Sequence, residues 1–266
     1  MLKDITIGQY YPCDSIIHRL DPRVKIAGTF AFMASLFIID SFVPYALIIL
    51  FLGGVIGMSK IPAGYVIKGL KPLIPILVLT LVINMFLTPG ELIWSMGPLK
   101  LTSEGLRQGV FMVVRLIFLI IGTSILTLAT SPIQLTDGIE MLLNPFKKIG
   151  VPAHELAMMM TIALRFIPTL LDETDKIMKA QMARGADFES KNLMRRAKNL
   201  VPLLVPLFIS AFRRADELAM AMEARCYRGG ENRTRMKQIR MEKRDYISYG
   251  IMSIYMAGIV ASRWII

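Results

Sequence analysis

Residues 109–129 read GVFMVVRLIFLIIGTSILTLA, an apolar run broken by one charge, Arg115. A helix rises 1.5 Å per residue, so about 20 such residues cross a hydrocarbon core about 30 Å thick. Working outward, comparable runs lie at about Val24–Ile39, Val43–Met58, Pro72–Leu87 and Ile247–Ile266. Asp21-Pro22 reads as the start of the first: Asp21 as N-cap, Pro22 at the position where a missing N–H costs nothing. The expectation is an all-α polytopic membrane protein with about five transmembrane helices.

Hydrophobic residues make up 54% of the 266-residue chain and the net charge is +11. A soluble domain is usually about 45–50% apolar. In a soluble protein such a charge would suggest nucleic acid; here basic residues gathering on cytoplasmic segments explain it, and no nucleic-acid partner is expected. The segment 59–71 carries Lys60, Lys68 and Lys71 and no acid, whereas 88–105 is nearly balanced by Glu91, Lys100 and Glu104 and reads as a loop. The first therefore belongs inside, with the N-terminus. Both cysteines, Cys13 and Cys226, then fall in cytosolic segments, where a disulfide is not expected. The first apolar run follows a long polar stretch without a small-residue cleavage site, so no cleavable signal is expected.

Three segments result: a four-span membrane part (1–129), a helical insert on the cytoplasmic side (130–245), and a last span (246–266). The insert is too apolar for a disordered tail and too charged for further spans. Its prolines and glycines divide it into helices at about Pro132–Leu143, Ala153–Arg184 (bent at Pro168), Lys191–Asn199 and Pro202–Tyr227, followed by a basic tail, Arg228–Arg244. Two stretches of it match: Ala180-Gln181-Met182-Ala183-Arg184-Gly185, and Ala221-Met222-Glu223-Ala224-Arg225-Cys226, their arginines 41 residues apart. Each ends a long amphipathic helix that passes an acidic patch, Asp172-Glu173-Asp175 or Asp216-Glu217, and each is followed by breakers, Gly185 or Gly229-Gly230. Leu164, Ile167, Leu171, Met178 and Met182 form one stripe, and Ala211, Ala215, Leu218 and Met222 another, with small residues that let helices cross closely. An arginine at a C-terminus also favours the helix dipole, which is the plain structural reading of either one alone. Repetition favours function: a small Ala beside each Arg lets the tip enter a groove, where the guanidinium can grip a carboxylate. Two such tips suit a partner made of two similar subunits.

Four motifs in this order resemble one family. They are His18-Arg19-Leu20-Asp21-Pro22-Arg23-Val24-Lys25, Ala163-Leu164-Arg165-Phe166-Ile167-Pro168, Ala180–Gly185, and Met222-Glu223-Ala224-Arg225-Cys226-Tyr227-Arg228-Gly229. Over essentially its whole length the chain is similar to the transmembrane (T) component of energy-coupling factor transporters, ABC importers of vitamins and transition metals. The resemblance implies a coupling domain of crossed helices in which Ala183, Arg184 and Gly185, and separately Ala224 and Arg225, each dock on one of two ABC ATPase subunits, identical or heterodimeric. It implies a substrate-binding S-component as membrane partner, a prokaryotic cell membrane location, and a non-catalytic subunit without cofactor. The second motif departs from the pattern with Cys226 in place of glycine, and Cys adopts positive φ less readily.

Other residues read more plainly. Arg115 suggests snorkelling or packing against another subunit. Asn84 suggests an interhelical hydrogen bond, and His18 a structural residue at the membrane entry. Asp172, Glu173 and Asp175 spread around a helix without a histidine, so a solvated face or pairing with Lys176 and Lys179 is expected and a metal site is not. Arg213-Arg214 reads as a basic pair beside the membrane. Met158-Met159-Met160, Met178, Met182, Met220 and Met222 suggest core packing or an adaptable surface. No nucleophile–base pair, HExxH or phosphate loop supports an enzyme, and the spans hold too few polar groups for a channel. A conventional ABC permease, the alternative, would normally offer its ATPase one short coupling helix.

Overall fold

The computed structural model describes residues 10–96, 99–186, 188, 193–230 and 239–265. The fold is all-α apart from one hairpin, and the chain is a polytopic membrane protein. Its described residues divide into two compact units, one of residues up to Gly138 together with Ile239 onward, the other beginning at Ile139 and lying between them in sequence.

The first unit contains α1 (Pro22–Ile38), α2 (Tyr45–Ser59), the short α3 (Ala63–Lys68), a 3-10 turn (Lys71–Leu73), α4 (Ile74–Leu87), strands β1 (Leu92–Met96) and β2 (Leu99–Thr102), α5 (Ser103–Ala129), the start of α6 (Pro132–Leu143), and α9 (Lys243–Ile265). Asp21 caps α1, its carboxylate accepting the Arg23 N–H at 2.9 Å. Thr102 caps α5 by accepting the Gly105 N–H at 3.1 Å. Segment 88–105, expected as a loop, holds an antiparallel hairpin pairing Leu92 with Thr102 and Met96 with Leu99. Its Leu-Ile-Trp run favours extended backbone over a loop.

Contacts fix the sense of each long helix. Phe32 of α1 lies against Gly122 of α5, where a Cβ would stand 2.7 Å from Cδ1 of the Phe32 ring. Lys25 reaches the end of α5 and Arg115 the end of α1, so these two helices run antiparallel. Asp21 meets Asp245 and Ser35 meets Tyr255, so α9 runs parallel to α1. Gly105 and Gly109 of α5 press on the backbone of α4 near Asn84 and Leu81, making α4 antiparallel to α5. With α2 folded back onto α1, five helices alternate in direction. Phe32, Leu36, Tyr45, Ile48, Phe111, Ile125, Tyr255 and Ile259 form a core shared by α1, α2, α5 and α9, and α4 packs on α5 outside it. Among the described residues, three helical stretches are long and apolar enough to cross a membrane, 63–87, 103–129 and 153–183, and α2 is a shorter apolar helix. The first two belong to this bundle, and α1 and α9 run alongside α5 within it.

Two intramembrane expectations change. The Arg115 guanidinium donates to the Ile39 carbonyl at 2.7 Å and lies over the rings of Phe111 and Phe37. Within the chain it closes the C-terminal end of α1, a contact that the isolated charge in the sequence did not suggest. Asn84 donates to the Thr80 carbonyl of its own helix at 2.8 Å, not to a neighbour.

In the second unit, α6 ends at Leu143 and a 3-10 turn (Asn144–Ile149) leads to Gly150 at φ 92°. Helices α7 (Ala153–Ala183, with Pro168 inside) and α8 (Leu193–Ala224) follow. The two helices expected at 191–199 and 202–227 are one: α8 runs through Pro202 and Pro206. Spaced four apart, these prolines lose their hydrogen bonds on one side, which bends a helix without ending it. Residues 191–192, and 231–238 of the expected basic tail, lie outside the described residues.

Two outcomes test this packing. Replacing Gly122 with Val forces a branched side chain into Phe32 and is expected to lower stability by about 1–3 kcal/mol in detergent unfolding. His18 is buried, with Nε2 donating to the Tyr11 carbonyl at 3.0 Å and Nδ1 2.7 Å from the Ser15 hydroxyl. Burial holds its pKa below the ordinary 6.5, against the opposite pull of the Tyr11 carbonyl. The neutral ring therefore stabilises the fold above that value and its contribution fades as pH falls. The melting temperature is expected to drop between about pH 7 and 5 in the wild type and less so in His18→Asn.

Candidate functional site

The two matching stretches end their helices in the same way. At the end of α7 the N–H groups of Arg184, Gly185 and Ala186 donate to the carbonyls of Gln181, Met182 and Gln181, at 3.1, 2.9 and 3.0 Å. At the end of α8 those of Arg225, Cys226 and Tyr227 donate to Met222, Glu223 and Met222, at 3.1, 2.8 and 3.0 Å. Every partner is shifted by the same 41 positions. Both are Schellman closures, in which a residue of positive φ reverses the chain and satisfies the last carbonyls. Gly185 takes φ 90° and Cys226 φ 56°. The cysteine thus occupies the left-handed conformation that its side chain disfavours, at a cost of about 1–2 kcal/mol. Ala183, Arg184, Gly185, Ala224 and Arg225 are all exposed.

The helices carrying these ends are bridged at equivalent positions. Arg214 of α8 donates to the Glu173 carboxylate of α7 at 2.9 Å. These residues are themselves 41 apart, so each arginine tip lies eleven residues beyond the bridge on its own helix. At 1.5 Å per residue that is roughly 16 Å on each arm. Farther along, Tyr227 donates to Met158 Sδ at 3.1 Å. The pair therefore runs antiparallel and its two tips point to opposite ends. The acidic patch was expected to be solvated or to pair with Lys176 and Lys179; Glu173 instead bridges the two helices. Arg214 correspondingly is a bridge residue and not merely a basic surface one.

The second tip has a support that sequence reading did not identify. His154, at the start of α7, bonds Glu140 of α6 through Nδ1 at 3.0 Å. Gly230 lies flat against that imidazole, where a Cβ would stand 2.7 Å from Cγ. Gly229 (φ 93°) turns the chain towards it. The two glycines, expected to be the breaker of α8, thus dock the strand leaving the tip, while Cys226 ends the helix. A double glycine so soon after a helix end was the available signal. Met159, Met160, Met182 and Met220 are exposed, as are Leu204, Val205, Phe208, Ile209 and Phe212 of α8. Among the described residues no group of three or more His, Cys, Asp or Glu could hold a metal.

The cobalt transport protein family, CbiQ, matches residues 14–236. The energy-coupling factor transporter transmembrane protein EcfT of Thermosediminibacter oceani is 63% identical over 99% of this chain and 100% of its own length. EcfT of Clostridium kluyveri is 62% identical over 93% of each chain. That of Bacillus subtilis is 51% identical over 90% of this chain and 91% of its own. These likenesses embrace the bundle, the Glu173–Arg214 bridge and both arginine ends, and the chain belongs to the CbiQ family, as a transmembrane component of the energy-coupling factor type.

Proposed function

We propose that this chain is the coupling subunit of an energy-coupling factor importer in a prokaryotic cell membrane. Arg184 and Arg225 each dock in a groove of one of two ATPase subunits, and the chain passes their movement to a membrane S-component that binds a vitamin or other micronutrient. The carrying observation is the pair of matching helix closures, each presenting an exposed arginine eleven residues beyond the Glu173–Arg214 bridge. Equal arms with like ends fit a partner with two like grooves. A planar guanidinium at each end can take a carboxylate in bidentate fashion.

The topology supports this reading. One end of the bundle gathers the start of α1, the 59–71 segment and the end of α5, and the balanced hairpin lies at the other; the basic end is the cytoplasmic one. Helix α7 is long enough to span, but Arg165, Asp172, Glu173, Asp175, Lys176 and Lys179 favour the interface over the hydrocarbon. The apolar strip of α8 and the exposed methionines suit contact with lipid or with S-components of differing shape. The chain itself is non-catalytic.

Co-purification from native membranes tests the docking. Wild type is expected to bring down ATPases and a small membrane protein. Arg184→Glu and Arg225→Glu should each weaken ATPase retention about 30-fold or more. The double variant should lose the ATPases and keep the membrane partner; absence of any ATPase with the wild type would overturn the reading. At the second tip, Cys226→Gly should preserve docking and raise stability by about 1 kcal/mol. Cys226→Val, which resists positive φ, should impair docking as Arg225→Glu does.

A further inference from the structure

The two connections of the 130–245 insert to the helical bundle meet at one short motif, residues 18–25. On the outgoing side, Lys25 Nζ donates to the Ala129 carbonyl, the last of α5, and to the His18 carbonyl, each at 2.9 Å. The Tyr11 N–H holds the neighbouring Leu128 carbonyl at 2.9 Å. A few residues on, Gly138 presses on α1 so closely that a Cβ would stand 2.8 Å from Pro22 and 2.9 Å from Ile26. On the returning side, Asp245 is 2% exposed. One of its oxygens accepts the Asp21 N–H and the other the Glu242 N–H, both at 2.8 Å. The Asp21 carboxylate is taken by Arg23, at 2.7 Å from its guanidinium.

We propose that Lys25 and Asp245 are positioning residues of a coupling clamp. They fasten both connections of the insert to the head of α1, so that displacement of the insert passes to α1, α5 and α9 together. This rests on the coupling function proposed above. Assembly of the bundle does not need the clamp, because Phe32, Leu36, Ile125, Tyr255 and Ile259 already join these helices farther along. The clamp lies only where the connections enter. Its bonds are charge-assisted and buried, which makes them short and stiff. Without them, movement of the insert would be absorbed in residues 130–138 and 239–244.

The test uses the full chain in nanodiscs, with Cys13→Ser and Cys226→Gly, and spin labels at Ile133 and Tyr246, which are exposed. Variants are Asp245→Asn, which keeps the side-chain size, and Lys25→Met; Arg19→Ala, whose exposed partner is Asp14, is the control. In the chain alone, the label distance should be narrow in the wild type and control and at least twofold broader in both variants. A second pair, at Leu50 and Ile254, is read in the complex with co-purified ATPases. There ATP should shift the distance in the wild type but not in the variants, while their ATP hydrolysis stays within twofold of wild type. An unbroadened distribution in the variants overturns the clamp. So does an ATP-dependent shift that survives in them, or is missing from the wild type. Failure of the wild type to retain ATPases overturns the coupling reading itself, and is seen separately from the chain-alone result. If Lys25→Met does not reach the membrane, Asp245→Asn decides alone.

Discussion

Helices α1 and α5 each carry a cation that closes the other's C-terminal end. Lys25 takes the Ala129 carbonyl at one end of their seam, and Arg115 takes the Ile39 carbonyl at the other. A helix end leaves four carbonyls without internal partners, and in lipid water cannot satisfy them. A cation at that place meets both the orphan oxygens and the negative end of the dipole. The arrangement explains why two charges tolerate a largely apolar bundle. Between them Gly122 lets Phe32 approach the α5 backbone, which draws the helices close enough for each side chain to reach. Helices α9 and α4 then pack on the two sides of this seam, and the alternating bundle follows.

The insert solves a different problem with the same chemistry. Under the docking proposed above, its long helices have to end at defined points with their tips bare, since a tip wrapped in its own structure cannot enter a partner. The Schellman closure does this: it satisfies the last carbonyls within the backbone and leaves the arginine side chain free. The Glu173–Arg214 pair bridges the two helices at a point equally far, eleven residues, from each tip. Of the two ends, that of α8 carries backbone strain at Cys226 and is tied down by Tyr227 on Met158 and Gly230 on His154.

Much of this was legible in the sequence. Long apolar runs announced the bundle helices because a hydrocarbon core strongly favours uncharged side chains, and Asp21-Pro22 announced a helix start because both residues have local roles there. The Ala-Arg repeat announced two like tips because Ala183-Arg184 and Ala224-Arg225 each close a long amphipathic helix, 41 residues apart. Long-range pairing was not legible. Arg115 reads as an isolated membrane charge until the end of α1 is placed beside it, and Glu173 has nearer lysines in sequence than Arg214. Pro202 and Pro206 read as a helix boundary because local rules do not say when bending is cheaper than ending. The hairpin after α4 was hidden by its short strands and its charged, loop-like flanks. At Cys226 residue type argued against positive φ, and the closure of the whole turn overrode it.

The most direct measurement of the account is the mass of the intact complex isolated through a tag on this chain, taken by native mass spectrometry from nanodiscs. The account predicts one copy of this chain with two ATPase subunits and one further small membrane protein. A stable complex holding a single ATPase, or two copies of this chain each with one, would contradict it, because the two arginine ends would then not be serving two partners.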